Sequence, residues 1–581
     1  MANFFADNDD ILFRFKTIDL GQLAEIREGG FQFAGEFDYA PADAAEAVEN
    51  YRLTLTSLGQ LAAEFIAPRA EDVDATGPVL QEDGLVAYAV GTAESLAMLA
   101  KADVMGFTLP HRFGGLNFPN LVYTMAIEVV SRADAALMNI FGLQGIAETI
   151  NAFASEEIKK EYLPDMAAGK TTGAMILTEP DAGSDLQSVK LRAFQDESGQ
   201  WRLNGVKRFI TNGCGEILLV LARSEPDITD GRGLSLFLAE RNETVKVRRL
   251  ERKLGIHGSP TCELQFNDCP AKLIGERQLG LITYVMALMN GARVGIAAQS
   301  LGIGEAAYRM ARNYAAKRRQ FDQAIENFPA VRDLLIDARL ELLAARALTY
   351  ETSRSVDLLY GASRKMEFDR PTDKEQLKVA RETERKYKRL AGMLTPMSKY
   401  FASEMAMRVS NDAIAVLGGS GYMKDYPVER YMRDARITTI YEGTTQLQVI
   451  AAVRGVVQGA AEQLCQELAA AEYPAEVQPL VEKLNVTRSV LTEIIAFTKG
   501  QPGVEYMDLY GRKIVDAAID LIVGYLFCRD ARFDSARLPI ARRWVNARQP
   551  RIKMLREMIL SGDRSSMEDF AALAGPVPSE V

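Results

Sequence analysis

The most informative stretch of the chain is residues 436–448, RITTIYEGTTQLQ, which place a carboxylate between an aromatic residue and a glycine. Two isoleucines lie just before Tyr441, so we expect Glu442 to be partly desolvated. Desolvation disfavours the charged form of a carboxylate and raises its pKa toward the working pH, as a general base requires. Gly443 has no side chain and lets backbone amides approach a ligand. Alone, a Tyr-Glu-Gly sequence more often marks a turn at the start of a helix.

The motifs upstream of this stretch make its interpretation more specific. Residues 417–422, LGGSGY, and residues 426–436, YPVERYMRDAR, come just before it. Together the three motifs resemble the C-terminal signature of the acyl-CoA dehydrogenases. In that family the glutamate of Tyr-Glu-Gly-Thr removes the α-proton of the substrate thioester. The resemblance implies that Glu442 is the catalytic base.

Size and composition describe a large globular enzyme. With 581 residues the chain exceeds one core and is expected to form about three or four domains. Apolar residues at 48% and charged residues at 25% are ordinary for such proteins. The net charge of -10 argues against non-specific nucleic-acid binding, which needs a basic surface.

Cysteine and histidine usage limits the chemistry. The five cysteines are scattered without Cys-x-x-Cys spacing, which indicates neither a disulfide framework nor a zinc site. Two histidines are too few for a histidine metal cluster, so no metal is expected and proton chemistry falls to carboxylates. His111 is expected at the surface or in a cap. The chain starts without a secretory signal, and its apolar runs are shorter than the ~18 residues of a transmembrane helix, so we expect a soluble cytoplasmic protein.

The pattern along the chain changes from helical to β and back to helical. We predict an N-terminal extension at residues 1–50, a helical domain at 51–173, a middle β domain at 174–280, a helical domain at 281–460 and an additional helical domain at 461–581. The expected fold is therefore α+β and multidomain. The resemblance, which covers about residues 51–460, implies a β-barrel or β-sandwich in the middle and a four-helix bundle after it, followed by the helical appendage.

Two local features carry their own expectations. Asn204 and Gly205 lie between β-rich segments and form the dipeptide preferred for a tight hairpin. The densely charged residues 367–388 are expected to be a solvated helix or a loop insertion.

The β region contains two motifs that resemble the flavin-binding strands of the family. Residues 177–185, LTEPDAGSD, run from a strand into a turn rich in glycine and serine, and residues 209–213, FITNG, look like the partner strand. The resemblance implies an FAD cofactor whose pyrimidine is bordered by backbone at Met175, Leu177 and Thr178. It places Gly183 and Ser184 where pyrophosphate and substrate meet, Phe209 against the isoalloxazine ring, and Thr211 near flavin N5.

The start of the next helix is similar to the stretch that contacts the thioester and pantetheine. It reads Asn290-Gly291-Ala292-Arg293, and the functional interpretation of Arg293 is favoured over an ordinary helix ion-pair partner. Some relatives carry the base at the position of Ala292, and alanine cannot accept a proton. The substrate-binding residues implied by the resemblance are Ser184, Asn290, Arg293, Tyr441, Glu442 and Gly443.

Other residues resemble those that hold the adenosine half of FAD. Arg318, Gln320 and Phe321 match the segment that reaches the FAD of a neighbouring subunit, where an arginine fork suits phosphate, although an exposed basic cluster is the alternative. Gly418 and Gly419 would let the backbone approach the same end, and Thr444 and Gln446 would cover the diphosphate. Pro329 and Ala415 depart from the glutamines common in shorter members.

The implied function is FAD-dependent oxidation of an acyl-CoA thioester to a trans-2-enoyl-CoA. Electrons would pass to an electron-transferring flavoprotein, and the long members of the family suggest a homodimer. Two alternatives have to be weighed. One is a flavoprotein of the same fold that does not dehydrogenate, such as an oxidase, desulfinase or monooxygenase relative. The other is a binding or assembly protein. The glutamate at 442 disfavours the first, and the absence of a basic tail disfavours the second.

Overall fold

Two compact units make up the computed structural model, which describes residues 2–37 and 39–578. The first unit comprises the described residues up to Arg370 together with Ser398–Thr444. The second comprises Pro371–Met397 together with the described residues from Thr445 onward. The boundaries of the five segments named above stay a prediction.

The first unit begins with helices, as predicted for residues 51–173, and its third helix starts earlier, at Ala44. Asn8, Asp43 and Ser155 start three of these helices by accepting hydrogen bonds from backbone amides of the first turn. The elements are α1 (Asp9–Thr17), α2 (Leu20–Arg27), α3 (Ala44–Leu61), α4 (Ala70–Thr76), the two-residue strands β1 (Val79–Leu80) and β2 (Val86–Ala87), α5 (Val90–Lys101), α6 (Asn120–Ala133), α7 (Ala135–Phe141), α8 (Gln144–Phe153) and α9 (Glu156–Ala167).

The middle of the chain forms a seven-stranded sheet whose path closes on itself. β6 pairs with β4, β4 with β5, β5 with β9, β9 with β7, and β7 again with β6. β3 runs parallel to β6, and β8 lies antiparallel to β9. This closed path fits the barrel form of the expected middle β region. The strands are β3 (Gly173–Ile176), β4 (Arg192–Gln195), β5 (Trp201–Thr211), β6 (Ile217–Arg223), β7 (Leu234–Glu240), β8 (Val245–Leu250) and β9 (Thr261–Ile274).

Both faces of this sheet are buried, which explains why β6 is a continuous apolar run. Leu218 and Val220 join an apolar cluster formed by strand residues. Leu219 and Leu221 point to the other face and join residues of α8 and α9, such as Ile150. Successive residues of a strand face opposite sides, so a strand that is covered on both sides needs no polar alternation.

The prediction of a tight hairpin at Asn204 and Gly205 is wrong. β5 runs through both residues, and the chain reverses instead at residues 196–200, where Gly199 has φ 82°. Gly205 lies at a shift in register between β5 and β9, with φ 146°, and a Cβ there would lie 3.1 Å from the Cα of Leu191. A bulge with a close backbone approach requires glycine for the same reason as a turn does, so composition alone could not separate the two.

The chain then returns to helices. A π-helical turn, Gly280–Val285, leads into α10, whose residues from Val294 to Ala307 are all buried. Helix α10 comprises Met286–Lys317. The elements that follow it in the first unit are β10 (Arg319–Gln320), β11 (Gln323–Ala324), α11 (Pro329–Phe368), α12 (Lys374–Leu417, shared with the second unit), α13 (Gly419–Tyr422) and α14 (Val428–Thr438).

Helix α10 is the central helix of the first unit, with α6, α11 and α14 packed around it. Among the described residues, one helical segment, Gly280–Lys317, is long and apolar enough by length and composition to cross a membrane. Half of its most apolar window is buried inside the protein. Its place in the core accounts for that composition.

The second unit is helical throughout its described residues and contains the additional C-terminal helices. Its helix α18 is buried along most of its length between α15, α16, α17 and α19. The first part of α12 belongs here too, and Lys386 pairs with Glu467 at 2.7 Å. The charged residues 367–388 thus complete α11 and begin α12 rather than form a loop insertion. The helices are α15 (Thr445–Val457), α16 (Ala460–Ala469), α17 (Gln478–Lys499), α18 (Glu505–Phe533), α19 (Leu538–Leu560), α20 (Ser565–Glu568) and α21 (Phe570–Ala574).

The N-terminal extension is part of the first unit's core. Its residue Asp10 pairs with Arg339 at 3.0 Å, and Asp7 pairs with Arg132 at 2.5 Å. The expectation that His111 lies at the surface or in a cap is wrong: its ring is buried, and Nε2 lies 3.0 Å from a carboxylate oxygen of Glu28. No local pattern predicts this pair, because Glu28 lies 83 residues away along the chain.

A buried ion network ties α6, α10 and α11 together. Arg346 donates to Glu128 at 2.6 Å and to Glu305 at 2.7 Å, and the Tyr350 hydroxyl donates to Glu128 at 2.7 Å. Burial opposes ionisation of Glu305, but Arg346 and then Arg309 hold its pKa down to about 2. The guanidinium is therefore what allows two carboxylates to be buried together.

We predict that Arg346→Met destabilises the protein by about 3–5 kcal/mol, because two buried carboxylates lose their shared cation. The midpoint of chemical denaturation, followed by circular dichroism, measures this loss. The control is Arg112→Met, since the Arg112–Glu156 pair is exposed on both sides and contributes only about 0–1 kcal/mol. Equal effects of the two substitutions would contradict the structural role of the network.

Candidate active site

Glu442 lies in a strained turn between α14 and the start of α15. Its φ is 56°, a left-handed conformation that is uncommon for a residue with a side chain, and Gly443 follows with φ 90°. Such a conformation costs about 1–3 kcal/mol and persists only where surrounding contacts hold it. Tyr441 supplies one of these contacts, since its hydroxyl donates to Gln299 Oε1 on α10 and lies 3.2 Å from Asn139 Oδ1 on α7.

The electrostatics of Glu442 are those expected of a base. Burial raises the pKa of its carboxyl above the ordinary glutamate value, while the charges of Arg293 and Lys399 oppose that rise. The same burial raises the pKa of the neighbouring Tyr441 phenol, which stays protonated and able to donate. Burial therefore increases the proton affinity of this carboxylate, and the two cations limit the increase.

Arg293 brings an unused donor to this carboxylate. Its Nη1 donates to Asn290 Oδ1 at 3.0 Å, one turn earlier on α10. Its buried Nε has no hydrogen-bond partner among the described residues. Burial lowers the pKa of the guanidinium, and Glu442 opposes this. A buried donor without a partner is costly unless a ligand completes it.

Lys399 belongs to the same group of residues, although none of the sequence motifs includes it. The side chain is fully buried on α12, and its Nζ donates to the carbonyl of Gly443 at 2.7 Å. Burial lowers the pKa of this ammonium to about 7, while the charge of Glu442 opposes the change. A signal was available, because Lys399 is the only charged residue between positions 391 and 403.

The first flavin-like motif is held by a second buried lysine. Lys207 of β5 donates to the carbonyl of Leu177 at 2.8 Å and pairs with Glu179 at 2.9 Å. The Glu179 carboxylate also accepts the backbone amides of Lys190 and Leu191, at 2.7 and 2.9 Å. Burial lowers the pKa of Lys207 to about 8, and Glu179 opposes this. These contacts fix the backbone that follows β3.

The second motif presents a partly exposed aromatic ring, with the Arg208 guanidinium 4.6 Å from the ring centre. Phe209 has φ 60° at an irregularity in the pairing of β5 with β9, and its side chain is 52% exposed. A bulky residue in this conformation is a true outlier, and it keeps the ring out of the sheet. Thr178, whose carbonyl accepts the Arg208 amide at 2.9 Å, lies on the adjacent segment. Around Gly183 there is room, because a Cβ there would meet only Thr178, at 3.8 Å.

The predicted site residues fall into three groups. Around Glu442 the structure gathers Asn290, Arg293, Tyr441 and Gly443. Met175 lies on β3 and Phe209 and Thr211 lie on β5, while Leu177, Thr178, Gly183 and Ser184 lie in the segment that follows β3. The remaining residues are exposed or half-buried: Arg318, Gln320, Phe321, Gly418, Gly419, Thr444 and Gln446. Phe321 is 88% exposed on the turn between β10 and β11, and Cβ atoms at Gly418 and Gly419 would meet nothing within 4 Å.

Family sequence models match most of the chain. They are described as the acyl-CoA dehydrogenase N-terminal domain at residues 49–170, the middle domain at 174–269 and the C-terminal domain at 282–366 and 376–457. A fourth, described as acyl-CoA dehydrogenase C terminal, matches residues 458–545.

Individual proteins agree with these matches. The chain is 38% identical to an acyl-CoA dehydrogenase of Bacillus subtilis, over 60% of this chain and 86% of that protein. It is 33% identical to the probable acyl-CoA dehydrogenase fadE25 of Mycobacterium leprae, over 71% and 96%. It is also 33% identical to the acryloyl-CoA reductase (NADH) of Anaerotignum propionicum, over 63% and 87%.

Solved structures give the same picture. A chain from the structure of the electron transferring flavoprotein of Acidaminococcus fermentans is 31% identical, with a TM-score of 0.60 over 70% of this chain and 98% of that one. The fold of a Bacillus anthracis acyl-CoA dehydrogenase complexed with FAD matches 92% of both chains at 22% identity, with a TM-score of 0.74.

The fold, the family models and the relatives together define an oxidoreductase that acts on the CH–CH bond of an acyl-CoA thioester. The chain belongs to the acyl-CoA dehydrogenase family, whose members are flavoproteins. The predicted arrangement of an N-terminal helical part, a middle β part, a C-terminal helical part and additional helices is confirmed.

We predict that Tyr441→Phe lowers the stability by about 1–3 kcal/mol, because the buried Gln299 carbonyl oxygen loses its donor. The denaturation midpoint measures the change. Tyr422→Phe is a suitable control, since that side chain is 78% exposed and should shift the midpoint little. An unchanged midpoint for Tyr441→Phe would mean that the hydroxyl does not hold the turn.

Proposed function

We propose that this protein is an FAD-dependent dehydrogenase that oxidises an acyl-CoA to a trans-2-enoyl-CoA, with Glu442 as its catalytic base. The observation that carries the proposal is a desolvated carboxylate in a strained turn on which Arg293 acts, a half-buried arginine whose buried Nε has no partner among the described residues. A base and an unfilled donor side by side are what abstraction of a proton next to a carbonyl requires.

The chain's own residues account for the proton transfer. Burial increases the proton affinity of Glu442, so that its carboxylate can accept the acidic α-proton of a thioester near neutral pH. Arg293 and Lys399 favour the ionised carboxylate and so oppose the effect of burial on its pKa. Gly443 leaves the backbone around the carboxylate accessible, and the Glu442 amide would donate to the thioester carbonyl. Asn290 and Arg293 would bind the thioester and pantetheine side of the substrate.

The residues present fit a bound FAD. Phe209 offers an exposed ring for a planar heterocycle, Gly183 leaves room beside it, and Thr178 lies on a backbone fixed by Lys207 and Glu179. Met175, Leu177, Ser184 and Thr211 complete this group. When bound, FAD supplies the two-electron acceptor for oxidation of the Cα–Cβ bond.

The adenosine half of FAD would be held across a homodimer. Arg318, Gln320 and Phe321 lie on an exposed hairpin, where they would reach the cofactor of a second copy rather than one in their own subunit. Gly418 and Gly419 offer open backbone, and Thr444 and Gln446 would cover the diphosphate. We further propose an electron-transferring flavoprotein as the electron acceptor and the cytoplasm as the location. The similarity to a chain from the Acidaminococcus fermentans structure supports the acceptor.

Reduction of an enoyl-CoA is the second candidate function. The relative from Anaerotignum propionicum is an acryloyl-CoA reductase (NADH) and is as similar as some of the dehydrogenases. The same residues would serve this direction, with Glu442 donating the proton to the α-carbon.

We predict that Glu442→Gln keeps its flavin and fold but loses bleaching by acyl-CoA by a factor of about 10²–10⁴, since glutamine cannot accept the proton. Anaerobic mixing with a panel of CoA thioesters of different chain length and shape, followed by flavin absorbance, measures it. The control is Glu156→Gln, an exposed carboxylate on α9 that should bleach like the wild type. Full bleaching of Glu442→Gln would rule out the assigned base.

The direction of the reaction is tested on the same samples. We expect acyl-CoA to bleach the oxidised wild-type protein and NADH alone to leave it oxidised. Rapid reduction by NADH, with reoxidation by an enoyl-CoA and no bleaching by any saturated acyl-CoA, would make the protein a reductase instead.

A further inference from the structure

Lys399 is a buried cation that neither the sequence motifs nor the family resemblance assigned to the site. It is fully buried, and its ammonium donates to the Gly443 carbonyl at 2.7 Å. Burying an ammonium is costly, and an apolar side chain of similar length would fill the same space without that cost. The reason for a buried ammonium at position 399 is therefore to be found in the groups that it contacts.

The contact is with the turn that carries Glu442. Residues 442 and 443 both have positive φ, and only glycine adopts this conformation without strain. Tyr441 anchors the entry to the turn through Gln299 and Asn139. Lys399 anchors the exit from a different helix, α12, by fixing the peptide that follows Gly443. Together the two anchors determine the direction of the residue between them.

We propose that Lys399 is a positioning residue for the catalytic carboxylate: its hydrogen bond to the Gly443 carbonyl holds the Glu442 turn, and its charge keeps the carboxylate ready to accept a proton. This inference rests on the proposed role of Glu442. The charged groups that act on Glu442 are Arg293 from α10 and Lys399 from α12. Glu404, one turn beyond Lys399 on α12, acts on the lysine itself.

Removal of the Lys399 ammonium changes the pKa of Glu442 in a defined direction. Burial raises the pKa of Glu442, and Arg293 and Lys399 lower it. Without Lys399 one of the two cations that oppose burial is lost, so the pKa of Glu442 rises further. The acid limb of the kcat/KM profile then moves to higher pH, by about one unit. A purely structural lysine would leave this limb unmoved.

The test compares Lys399→Met with Lys399→Arg in the flavin-loaded full chain. In Lys399→Met we expect hydrogen exchange of backbone amides in residues 439–446 to be about tenfold faster, because the turn loses one anchor. We expect kcat to fall by a factor of about 10² while KM changes little, because the base is misplaced. Lys399→Arg keeps a charged donor, so we expect slow exchange and the wild-type acid limb to return. Lys159→Met, which removes a lysine of α9 that pairs with Glu156, is the control.

Each result decides for or against the role. Faster exchange confined to the turn, with a shifted acid limb, supports positioning. An unchanged turn and acid limb, with only a lower melting temperature, overturns it. If Lys399→Met does not fold, Lys399→Arg decides, since wild-type behaviour of this variant supports the proposal and loss of the turn's protection refutes it. If Glu442→Gln proves active, the proposed base has failed, while the exchange measurement still reports whether Lys399 holds the turn.

Discussion

Desolvation of one carboxylate is the constraint on which the rest of the site depends. Glu442 is useful as a base only if its pKa lies near the working pH, and burial raises the pKa toward it. Burial alone would leave the group protonated and inactive as a base. Arg293 and Lys399 supply the opposing charge. Burial also lowers the pKa of each of these two cations. The three groups thus set one another's protonation, and none of them can be changed independently.

The fold provides this balance by bringing three distant segments to one turn. α10 carries Arg293 and, two turns further on, Gln299, so one helix contributes both the cation and the acceptor for the Tyr441 hydroxyl. α12 brings Lys399 from another direction. The rigidity of α10 matters here, because its long buried run is packed by α6, α11 and α14. Strain at Glu442 can persist because both sides of the turn are tied to helices that do not move easily.

The sequence predicted the order of helical and β regions because apolar periodicity is a local signal. The motif that singles out Glu442, which stays a proposed base, is local too. Apolar periodicity indicates which residues face a core, and the Tyr-Glu-Gly motif consists of consecutive residues. Contacts between distant residues left no such signal. Lys399 and Gly443 are 44 residues apart, and His111 and Glu28 are 83 apart, so their pairing depends on packing that no window of sequence reveals. The prediction of a hairpin at Asn204 and Gly205 failed for a different reason, since the same dipeptide suits both a bulge and a tight turn.

The two ion networks of the first unit differ in how carboxylates and cations are matched. In the network around Arg346, both Glu128 and Glu305 lie within hydrogen-bond distance of the guanidinium, and a tyrosine hydroxyl adds a further donor. Its charges are used to hold α6, α10 and α11 together. Around Glu442 the balance is different: two cations, Arg293 and Lys399, act on one carboxylate whose pKa stays raised. A cation that two carboxylates share at hydrogen-bond distance stabilises a fold, whereas a carboxylate with a raised pKa keeps the proton affinity that a base needs.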